Sequence, residues 1–284
     1  MFLSRLFSTV VLLIIFFAVF FIKGPIGLAI FIVAGIFLTF VCVKELSSIL
    51  VKFNLEKFNY LSEFFAIVIF LSIILSHIYN YQFKIELILC VVLIILFWVM
   101  ILFSINNKEQ ILKVIASLTI LLLLVVPLNF VTLIYVHGYG TTYFGVSLIL
   151  YLILVTKSGD VGAYVIGTIC SKRKGGNHKI VPTISPKKSW EGAIGGLIVS
   201  IIVSVLVMEI LGFGYGLDIS IILGVALFIG GFIGDLSESS LKRSAEIKDS
   251  GAVIPGIGGA LDLVDSLLIN APLFYLLLVT FKII

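Results

Sequence analysis

Nine stretches of mainly apolar residues divide this chain, and that pattern constrains its fold more than any motif does. A helix rises about 1.5 Å per residue, so about 20 such residues match the hydrocarbon thickness of a bilayer. The stretches are residues 6–22, 26–43, 60–79, 85–103, 114–136, 143–169, 192–211, 219–237 and 263–281. Backbone inside hydrocarbon must satisfy its own hydrogen bonds, and runs of this length do so as helices. The sequence predicts an all-α polytopic integral membrane protein with about nine transmembrane helices. Composition excludes a water-soluble globular fold, with 61% hydrophobic residues, 12% charged residues and a mean hydropathy of +1.28.

Orientation follows from the basic residues, because cytoplasmic loops carry the excess of Lys and Arg. With the N-terminus inside, only Lys23, Lys84 and Lys282 of the 19 basic residues fall outside. The inner set includes Arg5, Lys172, Arg173 and Lys174. Nine spans then put the C-terminus outside and the long polar loops near 171–191 and 238–261 in the cytoplasm. The same loop lysines account for the net charge of +4 without an anionic partner. Arg5 and the run behind it resemble a signal peptide, but with no AxA-type site the run reads as a retained helix. Cys42, Cys90 and Cys170 lack metal or disulfide spacing and read as packing residues, and Pro127 predicts a kink in the fifth span.

Acidic residues divide the chain near residue 142, since 10 of the 15 lie beyond it. Residues 1–142 therefore read as a scaffold of about five helices, and 143–284 as a catalytic region of about four. In the second region, Asp160, Asp235, Asp262 and Asp265 sit at the inner ends of three predicted spans. An ionised carboxylate near membrane depth is costly unless it is paired or binds a cation. Asp262 and Asp265, three residues apart, share a helix face. Such hard oxygen donors suit Mg²⁺ completed by water and phosphate, whereas pairing with Lys157, Lys242, Arg243 or Lys248 is the plain structural alternative.

Two polar segments supply groups suited to phosphate. Gly234-Asp235-Leu236 leads through Ser239, Lys242, Arg243, Lys248, Asp249 and Gly251 to Pro255-Gly256-Ile257-Gly258-Gly259-Ala260-Leu261-Asp262. Its basic residues offer charge-assisted bonds to phosphate oxygens, and its glycines allow close backbone approach. Earlier stands Ile184-Ser185-Pro186-Lys187-Lys188-Ser189-Trp190-Glu191-Gly192, which also reads as a membrane-boundary anchor.

The segment from Ser239 to Asp265 resembles the signature of the phosphatidate cytidylyltransferases, or CDP-diacylglycerol synthases. That signature runs through a serine, Lys-Arg, Lys-Asp, a glycine and a Pro-Gly-x-Gly-Gly turn to Leu-Asp-x-x-Asp-Ser. Ser185 to Gly192 resembles a second family motif and Asp160 to Gly167 a third, so about 110 C-terminal residues carry the likeness. Two positions depart from the commonest pattern, with Ile257 in place of histidine and Leu263 in place of arginine.

The resemblance implies transfer of CMP from CTP to phosphatidic acid, giving CDP-diacylglycerol and pyrophosphate. It implies Mg²⁺ and a second metal ion held by Asp235, Asp262 and Asp265, with Lys242 and Arg243 also catalytic. Substrate contacts would come from Asp160, Ser185, Lys187, Lys188, Ser189, Ser239, Lys248, Asp249, Gly258 and Gly259. It further implies a homodimer in a bacterial cytoplasmic membrane, an active site facing the cytoplasm, lipid partners and no nucleic acid. Rival readings are an ion-coupled transporter, another membrane transferase acting on phosphorylated lipids, and an anionic-lipid-binding scaffold.

Overall fold

The computed structural model describes residues 2–58, 60–79, 85–104, 107–138, 142–172, 176–254, 256 and 258–284, with the side chains of 2–7, 20 and 85–90 set aside. Lys84, Arg173, Lys174, Pro255 and Ile257 lie outside the described residues, as do the side chains of Arg5 and Cys90.

Among the described residues the secondary structure is helical, with two isolated β-bridges in loops. The helices are α1 (Phe2–Phe21), α2 (Gly24–Val51), α3 (Leu61–Ile78), α4 (Ile85–Phe103), α5 (Lys108–Ile120), a π-helical turn (Leu121–Val125), α6 (Val126–Val136), α7 (Phe144–Ser171), α8 (Trp190–Ile210), α9 (Leu217–Ser244) and α10 (Leu261–Thr280). Each predicted apolar run coincides with one of them, α5, the π turn and α6 together forming the fifth. Seven helices among the described residues are long and apolar enough to cross a membrane, and shorter apolar helical stretches lie at Ser8–Val19 and Val91–Phe103. The chain is an all-α polytopic membrane protein.

Two helices run well past the C-terminal ends of their apolar stretches. α2 continues to Val51, which places Glu45 on a helix, and α9 continues to Ser244, which places Ser239, Lys242 and Arg243 on a helix rather than in a loop. The extra turns of α9 gain support from the Glu238–Lys242 ion pair at four-residue spacing. At Pro127, whose ring removes a backbone donor, the π turn takes up the mismatch. Two residues on, Asn129 Nδ2 donates to Val125 O at 2.8 Å.

Residues 1–136 and 245–263 form one compact unit, and 137–244 with 264–284 form another. In the first, α2, α3, α5 and α6 bury an apolar core that includes Ile49, Ile74, Ile120, Leu124 and Ile134, and Phe31 stacks on Tyr135. In the second, α7, α8 and α9 pack through small residues, as membrane helices do where dispersion rather than hydrophobic exclusion draws them together. A Cβ at Gly162 would meet Val199 Cβ at 2.7 Å, and one at Gly224 would meet Ile201 Cα at 2.9 Å. Asn270 Nδ2 on α10 donates to Thr156 Oγ1 of α7 at 2.8 Å and to Leu227 O of α9 at 2.7 Å, which ties three helices.

Candidate functional site

In the second unit, Asp160 of α7, Asp235 of α9 and Asp265 of α10 come together around two lysines. Lys188 Nζ lies 2.9 Å from Asp235 Oδ2, while Lys157 Nζ lies 3.5 Å from Asp160 Oδ2 and 3.9 Å from Asp265 Oδ1. Asp235 acts electrostatically on both other carboxylates. Two lysines therefore share three acidic groups, and the cluster is partly open. Asp160 is 41% exposed, Asp235 35% and Asp265 10%.

Local sequence explains how each side chain is held. Lys157 and Asp160 stand three residues apart on α7 and so face the same way. The loop before α8 folds back through a bridge between Lys179 and Ser189, and Lys188 N donates to Ser185 O at 3.2 Å. Lys188 then extends over the Phe232 ring, 4.2 Å from its centroid, to reach Asp235. Asp265 Oδ1 accepts from Ser266 N and from Ser266 Oγ at 2.9 Å. α9 and α10 touch backbone to backbone here, because a Cβ at Gly234 would stand 2.6 Å from Asp265 O. The glycine preceding Asp235 is thus a condition of the cluster.

Other expected residues have more structural roles. Ser189 is buried and caps α8, its Oγ accepting from Gly192 N at 3.2 Å. Ser239 Oγ donates to Asp235 Oδ1 at 3.4 Å, and Lys242 pairs with Glu238. Ser185 is half-buried, while Lys187 and Arg243 are exposed. Glu191, in the same motif as Lys188, accepts from His178 Nδ1 at 2.6 Å and fastens the loop to α8.

In the first unit, Lys248 and Asp249 are exposed at the start of a turn closed by paired bonds between Ile254 and Gly258, at 3.0 and 3.1 Å. Gly258 there adopts φ 135°, which favours glycine. Asp262, in the first turn of α10, accepts from Gly259 N at 2.9 Å and from Ser250 N at 3.4 Å. Sequence reasoning gave Lys157 only as a neutralising partner and passed over Glu45. A glutamate at position 45, two residues past the predicted end of an apolar run, was the available sign.

Among the described residues no group of three or more His, Cys, Asp or Glu side chains stands ready as a metal cage. Mg²⁺ does not require one, since it commonly binds through one or two carboxylates and completes its shell with water and phosphate. The donor chemistry of these aspartates fits that mode.

A phosphatidate cytidylyltransferase of Staphylococcus haemolyticus is 39% identical over 145 residues, which cover 51% of this chain and 54% of the relative. One from Staphylococcus aureus strain COL is 40% identical over 143 residues, covering 50% of this chain and 52% of that protein. An uncharacterized Escherichia coli protein, YnbB, is 38% identical over 131 residues, or 46% of this chain and 42% of its own length. The chain thus spans about half the length of the curated relatives it matches. The family model described as the cytidylyltransferase family matches residues 3–281, nearly the whole chain, and the chain therefore belongs to the cytidylyltransferase family.

Proposed function

We propose that this chain transfers the cytidylyl group of CTP to phosphatidic acid, releasing pyrophosphate and leaving CDP-diacylglycerol in the bilayer. The observation that carries the reading is that Lys157 and Lys188 are set among Asp160, Asp235 and Asp265, of which Asp160, Lys188 and Asp265 belong to the segments that resemble the family's motifs. A phosphate oxygen of phosphatidate forms the new bond to the α-phosphorus of CTP, and the bond to the pyrophosphate oxygen breaks. Phosphatidate is already anionic, so the attack needs alignment and charge neutralisation more than a base. That is compatible with isoleucine at position 257.

Lys188 and Lys157 bind and orient phosphate oxygens, and the aspartates hold the two ammonium groups in place until substrate arrives. Lys242, Arg243, Lys248 and Lys187 supply further positive charge to the triphosphate or the lipid phosphate. Asp235 and Asp262 are the carboxylates assigned to Mg²⁺, with Asp265 and Asp160 as further ligands or as groups that orient them. When bound, the ion would offset charge on the reacting phosphates. The site faces the cytoplasm, where CTP is available, in a bacterial cytoplasmic membrane with the N-terminus inside. Purified protein in detergent, given labelled CTP, phosphatidic acid and Mg²⁺, should yield a lipid-soluble cytidine product and one pyrophosphate per product. Absence of that product, or CTP hydrolysis without it, would reject the reading.

A further inference from the structure

Glu45 is the one carboxylate of α2, 5% exposed, and its side-chain hydrogen-bond partners among the described residues lie some 200 residues further along the chain. Its Oε1 accepts from Ala260 N at 3.0 Å. Its Oε2 accepts from Leu261 N at 2.8 Å and from Ser250 Oγ at 3.0 Å. Leu261 begins α10 and Ala260 directly precedes it, and the first N–H groups of a helix have no intrahelical partner. A side chain on another helix thus caps α10, and its charge suits the positive end of the helix dipole.

The glycines around it fit this arrangement closely. A Cβ at Gly259 would stand 2.6 Å from Glu45 Oε2, and one at Gly251 would stand 2.8 Å from Glu45 Cδ. Gly251 and Gly259, glycines that read in the sequence as allowing close backbone approach, are therefore needed to admit a carboxylate of the protein itself. The turn so fixed also aims Gly259 N and Ser250 N at Asp262 Oδ2.

We propose that Glu45 is a positioning residue, which holds residues 250–254 and 258–261 in the geometry that presents Lys248, Asp249 and Asp262 for turnover. The proposal rests on the cytidylyl-transfer reading for its kinetic part, but not for its structural part. Glutamine is nearly isosteric, yet it has one acceptor oxygen where the carboxylate presents two, each facing a backbone N–H. Whichever way the amide turns, its NH₂ group meets a donor.

Glu45→Gln should speed amide exchange of residues 250–261 by about tenfold or more, as expected for losing a buried bond to a charged group. It should lower kcat by a similar factor while leaving the KM for phosphatidate within about twofold of wild type. Glu45→Asp, which keeps the charge, should recover part of both effects. Ser250→Ala, which removes one donor from the other side, should give a smaller effect of the same kind and serves if Glu45→Gln fails to fold. Wild-type exchange in both Glu45→Gln and Ser250→Ala overturns the proposal, and so does faster exchange with unchanged kcat. If the wild-type protein makes no CDP-diacylglycerol, the functional reading fails, while the exchange result still decides whether Glu45 holds the turn.

Discussion

Glu45 in the first unit is buried and the aspartate cluster of the second is partly open, and the protein answers their charge in opposite ways. Glu45 meets a serine hydroxyl and two backbone N–H groups, and among the described residues it forms no ion pair. Asp160, Asp235 and Asp265 meet the ammonium groups of Lys157 and Lys188. Backbone donors cannot leave, so the first arrangement fixes a turn. Lysines are mobile point charges on flexible stems, so the second can be re-partitioned when a phosphate arrives. The same chemical group thus serves as a fastener in one place and as part of an exchangeable site in the other.

Removing charge from the exchangeable site should do the most damage. Asp235→Asn keeps the shape but loses the partner of Lys188 and the group assigned to Mg²⁺, so turnover should fall by about 10³-fold with helix content unchanged. Turnover within a few-fold of wild type would remove Asp235 from the site and collapse the contrast with Glu45.

Geometry is the next test. Gly234→Ala leaves every charge in place but puts a methyl against Asp265 O, in a contact that only a helix shift relieves. A displacement near 1 Å at the reacting groups costs about 100-fold, and that loss should appear in kcat. Unaltered kinetics would mean that the close approach of α9 and α10 does not set the site. A smaller effect should follow from Lys157→Gln, because Lys157 stands 3.5 and 3.9 Å from its two partners, further than Lys188 from Asp235. Its loss should raise the KM of one anionic substrate about tenfold, and the substrate affected identifies which phosphate Lys157 meets.

The positions of the apolar helices were legible in the sequence because the bilayer imposes one length scale on every apolar run. Helix ends were less so, since hydropathy stops at residue 237 while α9 continues through Ser239, Lys242 and Arg243 on the strength of local pairing. Asp160, Asp235 and Asp265 could be singled out because charge at membrane depth is expensive. Lys157 stood among the possible pairing partners but Lys188 did not, because Lys188 reaches Asp235 only through a loop whose fold depends on the 179–189 bridge and the His178–Glu191 bond. Glu45 stayed hidden for a related reason. Its partners are backbone groups, and no sequence pattern marks which N–H a distant carboxylate will find.

The smallest effect should come from a buried network that carries no charge. Tyr151 OH and Ser204 Oγ bond at 2.5 Å, and Ser204 Oγ also bonds to Ser220 O, all within α7, α8 and α9. Hydrogen bonds between neutral groups of membrane helices average about 0.6 kcal/mol, because the unfolded chain in the bilayer also finds partners. A double-mutant cycle of Tyr151→Phe and Ser204→Ala, read from reversible unfolding in detergent, should give a coupling near that value with kcat preserved. A coupling of about 3 kcal/mol, or a loss of turnover comparable with Asp235→Asn, would show that neutral bonds and carboxylate pairs are not separable classes here. If the cycle stays small while Glu45→Gln and Asp235→Asn are large, the distinction that matters in this fold is charge, and the two ways of answering it divide fixed structure from chemistry.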